Sequence, residues 1–219
     1  MNFRSYFSAI TFILLIFANC KNTSYNVQSP NVILILVDDM GFSDIGAYGS
    51  EIETPNIDRL AFEGVRFINA YNTSKCFPSR ACLLTGLYSQ QIGYHQTFRL
   101  KMENAITLGE LFKSAGYTTL WSGKHHSIEN PIRRGFDHYS GLLDGASNHF
   151  NPGVKRDGED QPAQKGWMKR SPTTYRNWVI EGEIFNPYTP ESKDFYTTDV
   201  FTNYALNWIN KIDEKKPFF

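Results

Sequence analysis

The sequence predicts an α/β fold in which a mostly parallel central sheet is flanked by helices. Three observations carry that expectation. Apolar, β-branched runs alternate with stretches whose apolar residues recur at helical spacing. The helical stretches open on a capping residue or a proline and close on a glycine. The first apolar run, Asn31 followed by Val-Ile-Leu-Ile-Leu-Val over 32–37, is continuous, the pattern of a strand buried on both faces. With 219 residues, 41% of them hydrophobic and 15% aromatic, the chain has enough apolar surface for a substantial core. Its 22 basic residues balance its 22 acidic ones, so no overall field argues for nucleic acid or an anionic membrane surface.

The N-terminus reads as a targeting segment. Arg4 precedes an apolar run over 7–18 that is too short to span a bilayer and matches a signal-peptide core. It ends in Ala18-Asn19-Cys20 and a polar stretch, an arrangement similar to a bacterial lipoprotein signal in which Cys20 becomes the lipidated residue; Asn19 departs from that pattern. The expected organisation is a signal peptide over 1–20, a linker over 21–30 and one catalytic-type domain portion over 31–219. Export is implied, to the periplasm or cell surface as a lipoprotein, with simple secretion as the alternative, and any membrane contact would run through the lipid anchor alone. Asn22 and Asn72 head glycosylation sequons, which a bacterial source would leave unused.

Beyond the linker the elements follow in order. The strand over 32–37 ends abruptly in Asp38-Asp39, two carboxylates at the end of a buried parallel strand, where open α/β sheets hold ligands. Residues 40–50 form a Gly- and Ser-rich loop. Thr54 and Pro55 start a helix with Ile57, Leu60 and Ala61 on its apolar face, and Gly64 ends it. A short strand over 65–70, anchored by Phe67, leads through 71–75 into a helix from Cys76 to Gly86 with Pro78 in its first turn. Cys76 then sits at the helix N-terminus, where free N–H groups and the helix dipole favour an anion, and Arg80 lies on the same face four residues on.

Thr107 and Glu110 form a capping box for a helix that turns Leu108, Leu111, Phe112 and Ala115 to the core and ends at Gly116. A strand over 117–122 delivers Gly123-Lys124-His125-His126. Residues 133–184 read as loop-rich, with a surface excursion over 155–172 and a hairpin strand within 175–184. A helix from about Thr198 places Phe201, Ala205, Trp208 and Ile212 on one face, and 216–219 read as the opening of another buried strand. Ending there, the sequence suggests a fragment. Parallel βα topology would bring the Asp pair, the Cys with its Arg, and the Lys with its His to one edge of one sheet.

The string Cys76-Phe77-Pro78-Ser79-Arg80, followed by Thr85-Gly86, resembles the signature of the type I sulfatases, in the alkaline phosphatase superfamily, over the N-terminal part of such an enzyme. Lys124 and His126 match a second family element, with His125 where the family commonly has Trp, and Arg134-Gly135-Phe136-Asp137 also looks like the family. The resemblance implies an arylsulfatase-like sulfuric ester hydrolase. A sulfatase-maturing, formylglycine-generating enzyme would oxidise Cys76 to formylglycine, whose hydrated form attacks sulfur. Asp38, Asp39 and the modified Cys76 would bind a divalent cation, Ca2+ in this family. Arg80 would orient the modified residue, and Lys124 and His126 would bind sulfate. The substrate would be a sulfated small molecule or sulfated glycan.

Calcium takes about six to eight oxygens, so two aspartates and one modified residue fall short, and the chain alone is expected to bind metal weakly and turn over little. Cys82 is left as a small buried side chain, with a Cys76–Cys82 disulfide open only if modification fails. Two alternatives stand beside the sulfatase reading: a phosphoesterase of the same superfamily, against which Cys76 in place of Ser or Thr argues, and a non-catalytic surface glycan-binding protein with unmodified Cys76.

Overall fold

The computed structural model describes residues 29–94, 101–159 and 176–219. The signal segment with Cys20, the linker up to residue 28, and most of the excursion over 155–172 lie outside the described residues.

The described residues form four α-helices: α1 (Pro55–Glu63), α2 (Cys76–Thr85), α3 (Leu108–Ser114) and α4 (Thr197–Ile209). Four strands, β1 (Leu120–Ser122), β2 (His138–Leu142), β3 (Trp178–Ile180) and β4 (Glu183–Phe185), form one sheet in the order β1-β2-β3-β4. β1 and β2 are parallel, with Trp121 opposite Tyr139, while β3 and β4 add antiparallel. On the far side of β1 the end of the chain runs parallel to it. The Thr118 N–H donates to Pro217 O at 2.9 Å and the Leu120 N–H to Phe219 O at 2.7 Å, so 217–219 do behave as the start of a strand. The α/β class holds, and the named strands make the sheet mixed.

β2 falls inside the region the sequence presents as loop. Its sequence, His-Tyr-Ser-Gly-Leu, carries no apolar run because the strand is shaped by a close backbone approach. Gly141 has φ +146°, and a Cβ there would lie 2.3 Å from the Gly123 carbonyl oxygen, so the position takes only glycine. The expected hairpin forms as β3 and β4, joined by Glu181 and Gly182, both with positive φ, as a tight two-residue turn requires.

Among the described residues the core falls into three clusters, one of them Tyr139, Leu143 and Val179. Phe77, Ala81 and Leu84 of α2 pack with Ile92, Tyr94, Met102 and Phe136. On the other side Trp178 stacks on Phe201 of α4 at 5.5 Å and on Tyr188 at 5.2 Å, with Leu142 and Phe195 beside it. α4 is tied to the end of β1 by the Ser122 hydroxyl, which donates to Phe201 O at 2.6 Å.

Three expectations about the N-terminal third are corrected. Residues 32–37 form no strand: Val32 donates its N–H to Phe218 O, and 33–37 make no backbone–backbone hydrogen bond among the described residues, with Ile33 and Ile35 67% and 72% exposed. A strand exists through its ladder, and this run has a partner only at its first residues. Residues 65–70 likewise make no strand, and Phe67 is exposed, holding on through its carbonyl, which accepts from the Tyr48 hydroxyl. α1 begins at Pro55 as expected, although the Thr54 hydroxyl does not cap it and donates to Asp58 Oδ1 instead, and it buries none of its residues, so its apolar face with Leu60 lies open. On α3, Leu111 and Ala115 are exposed, and Gly109 packs against Phe136 instead. Cys82 is half-buried and, like Cys76, a free thiol.

The Thr107–Glu110 capping box is present: the Thr107 hydroxyl accepts from the Glu110 N–H at 3.1 Å and the Thr107 N–H donates to Glu110 Oε2 at 2.8 Å. The same hydroxyl donates to Arg134 O at 2.7 Å. Arg134 in turn binds Glu110, Glu129, Met102 O and Ala105 O, and Asp137 accepts from the Thr119 N–H, so the Arg-Gly-Phe-Asp stretch is a structural clamp. Thr107→Ala is expected to destabilise the chain by about 1–2 kcal/mol in urea unfolding, since it removes a cap and leaves a buried carbonyl unpaired; a loss under about 0.3 kcal/mol would contradict this role.

Candidate active site

α2 builds the first part of the site. Lys75 is the residue before its first turn, Cys76 opens it, and Gly86 closes it in the left-handed conformation, its N–H donating to Cys82 O. Phe77 and Pro78 are buried, which fixes the helix start against the core, while Cys76 stays half-exposed with its thiol free. Arg80, one turn on, is buried, 7% exposed. Its Nη1 donates to the main-chain oxygen of Lys124 at 2.8 Å, and its Nη2 lies 3.5 Å from Asp38 Oδ2.

The second part comes from the continuation of β1. The N–H groups of Gly123, His125 and His126 donate to the carbonyls of Ser140, Leu142 and Leu143, so parallel pairing carries on past the strand end. Lys124 then points its ammonium onto Asp38 Oδ2 in direct hydrogen-bonded contact. His126 adopts φ +65°, its carbonyl accepts from the Tyr94 hydroxyl at 3.0 Å, and its ring lies edge-on to Phe77 at 5.7 Å. Gly145 presses against that ring: a Cβ there would stand 2.2 Å from His126 Nε2.

Asp38, Arg80, Lys124 and His126 are therefore brought together as the sequence anticipates, although the first two do not follow strands. Cys76 shares the electrostatic environment of Arg80. Asp39 does not join: it is exposed, in the left-handed conformation, and makes no ion pair among the described residues.

Charge organises the protonation states. Burial would raise the Asp38 carboxyl, but the hydrogen bond and charge of Lys124 and the charge of Arg80 outweigh it and hold it below the usual carboxylate range. Burial draws the Arg80 guanidinium down against the opposing charges of Asp38 and Cys76, and it stays protonated at neutral pH. His126 is pushed down to about 4 by burial and by the charges of Lys124 and Arg80, so its ring is neutral at pH 7. His125, to which the sequence assigns no role, lies beneath the site at 3% exposure, edge-on to Trp121 at 4.8 Å, and burial together with Arg80 pushes it down to about 3. It takes the place of a core aromatic.

Arg176, just before β3, is a charge near His126 that the sequence does not disclose. Its charge reaches His126, yet it is 50 positions away in the chain, and only the folding back of β3 onto β2 brings it near. The donor set does not fit a complete calcium site. Asp38 is engaged by two cations, Asp39 stands apart, and no group of three His, Cys, Asp or Glu side chains capable of holding a metal occurs among the described residues.

A cleft edge of this composition, with a helix-initial cysteine backed by arginine, lysine and a neutral histidine, is one built to receive an anion. The family model Sulfatase matches residues 30–219, and the chain belongs to the sulfatase family. The arylsulfatase of Klebsiella aerogenes is 33% identical over 208 residues, covering 88% of this chain and 41% of that protein. The N-acetylglucosamine-6-O-sulfatase of Bacteroides thetaiotaomicron is 32% identical over 207 residues, covering 92% and 31%.

Among solved structures, a protein in complex with its substrate D-glucosamine-2-N,6-O-disulfate superposes with TM-score 0.65 at 30% identity, over 86% of this chain and 33% of its own. The PsFucS1 sulfatase from Pseudoalteromonas sp. superposes with TM-score 0.67 at 27% identity, over 100% and 47%. The chain spans less than half the length of these relatives.

Both histidines are neutral when folded and have an ordinary value of 6.5 when unfolded, so the unfolded chain binds more protons below that pH. The stability they support is complete above about pH 6.5 and drains as pH falls toward 4, by up to about 1.4 kcal/mol per pH unit and group. Urea midpoints followed by tryptophan fluorescence should fall across that range, and His125→Phe should flatten the decline; an unchanged slope in the variant would refute the assignment to His125.

Proposed function

We propose that this chain carries the nucleophile half of an exported sulfatase that hydrolyses sulfate esters of glycans or small molecules, with Cys76 converted to formylglycine by a sulfatase-maturing enzyme. The observation that carries this reading is Cys76 at the first turn of α2, with Arg80 buried behind it and tied to Lys124. Formylglycine at this position supplies a nucleophile that can be regenerated, which a plain thiol or hydroxyl cannot.

The chain's own residues prepare the site for an anionic ester. Arg80 is fixed by its bond to the Lys124 main chain and presents a permanent charge beside position 76. Lys124 and Arg80 supply preorganised positive charge where a sulfate would sit. His126, neutral at pH 7 and set in place by its main chain and Gly145, offers a hydrogen bond without adding charge. Phe77 and Tyr94 close the apolar side and limit water.

The sulfatase reading calls for calcium at Asp38, Asp39 and the modified Cys76, but Asp38 is held by Lys124 and Arg80 and Asp39 stands apart, so these residues alone do not make its site. Two aspartates leave most of its coordination to be filled from elsewhere, and weak metal binding and low turnover are the expectation for this chain alone. A sulfated sugar as substrate is supported by the relatives: one is named for N-acetylglucosamine-6-O-sulfate chemistry and one structure holds a glucosamine disulfate. Export, with Cys20 as lipid attachment point, is part of the same proposal.

Mass spectrometry of the Cys76 peptide from protein coexpressed with a maturing enzyme should show aldehyde in place of thiol. Aryl sulfate turnover, however low, should disappear in Cys76→Ala and exceed aryl phosphate turnover. An unmodified thiol would sink the reading, and a preference for phosphate would shift it to the phosphoesterase alternative.

A further inference from the structure

Two exposed aromatic rings stand near the site, Phe150 on the loop that leaves β2 and Tyr196 at the start of α4. Gly145 lies against the His126 ring, and Phe150 follows five residues later, so even a fully extended chain puts it no more than about 18 Å from that glycine. α4 reaches the same edge from the other direction. Phe201 adjoins Gly123, the neighbour of Lys124: a Cβ on that glycine would lie 3.4 Å from Phe201 Cδ2. Tyr196, the N-cap of α4, is five residues before Phe201, about 7.5 Å along the helix axis. The two rings meet at 5.4 Å with 33° between their planes, yet Phe150 and Tyr196 remain 62% and 39% exposed.

The backbone under both rings is pinned. The Thr197 N–H donates to His149 O at 3.0 Å, and His149 Nδ1 and Thr197 Oγ1 share a hydrogen bond of 2.8 Å, which ties the loop to the helix start between the two aromatic residues. Asn148 Oδ1 accepts from the N–H groups of Phe150 and Asn151 at 2.8 and 3.0 Å. A phenylalanine left open on a main chain fixed in this way is a preorganised apolar surface, with little ordering left to do on binding.

We infer that Phe150 and Tyr196 form a carbohydrate subsite, which takes the C–H face of a pyranose ring in the same glycan whose sulfate ester the site receives. This rests on the sulfated-glycan reading proposed above. A sugar ring joins an apolar face to a rim of hydroxyls, and the aromatic pair has polar neighbours to match in Asn148 and His149, the latter 6.3 Å from the Tyr196 ring. The rings carry no charge, so they recognise the sugar while Arg80 and Lys124 recognise its anion.

The test is calorimetric titration of the full chain, with Cys76 unmodified, using hexasaccharides of heparin, chondroitin sulfate and κ-carrageenan, and separately inorganic sulfate. At least one hexasaccharide should bind, and Phe150→Ala should weaken it about tenfold, the worth of one aromatic face removed from water. Tyr196→Ala should weaken it too, while Phe150→Tyr should stay within about twofold of the unaltered chain and guards against a folding defect in the alanine variants. Affinity for inorganic sulfate should be the same in Phe150→Ala as in the unaltered chain. Hexasaccharide binding unchanged in both alanine variants, sulfate affinity that falls in step with it, or no hexasaccharide bound at all would overturn the inference. So would self-association that Phe150→Ala abolishes, since the occupant would then be a second copy of the chain. No turnover is needed, so aldehyde at Cys76 and ester hydrolysis can stand while the subsite fails, and the subsite can hold in a chain whose Cys76 stays a thiol.

Discussion

The bond from Arg80 Nη1 to the Lys124 main-chain oxygen is the contact on which the site depends. It joins the second turn of a helix to the segment that continues a strand, 44 residues later, and it does so below the surface. A guanidinium buried to that extent is tolerated only when its donors and charge are met. The carbonyl meets one donor and Asp38 the charge, so burial of Arg80 draws the other two segments toward α2. Asp38 needs this most, because among the described residues the run it ends has its one backbone hydrogen bond six residues earlier, at Val32.

A second constraint acts through absent side chains. Gly141 lets β2 approach Gly123 closely enough for the parallel pairing to continue to His126, and Gly145 lets the following loop lie against the His126 ring. Where the backbones touch, the orientation of Lys124 and His126 follows from main-chain hydrogen bonds, with little left to side-chain packing. His125 follows from the same pairing. Alternation along an extended segment sends it inward between Lys124 and His126, and the interior it meets, Trp121 and Tyr139, is aromatic.

What the sequence disclosed was largely what is local. The capping box of α3 and the Pro78 and Gly86 punctuation of α2 are decided within a few residues, and each forms. The cluster of Asp38, Arg80, Lys124 and His126 was legible because the family signature marks those positions. What escaped depends on neighbours distant in the chain. β2 lacks the apolar alternation of a strand because glycine and serine serve its contacts, and the charge of Arg176 comes near His126 through sheet order. The run over 32–37 has every residue preference of a central strand and still forms none, since preference supplies side chains and a ladder requires a second backbone.

That same run bears on how the molecule behaves in solution. From Ile33 to Val37 five consecutive apolar side chains stand at least 46% exposed on a backbone whose amides and carbonyls are not bonded to other main chain among the described residues. No proline, bulge or charge interrupts it before Asp38. Natural sheets guard such borders because they are templates for strand addition between molecules. Protein concentration therefore becomes a variable of the system in its own right: dilute samples report on the single chain, and concentrated ones on whatever these five residues find to pair with.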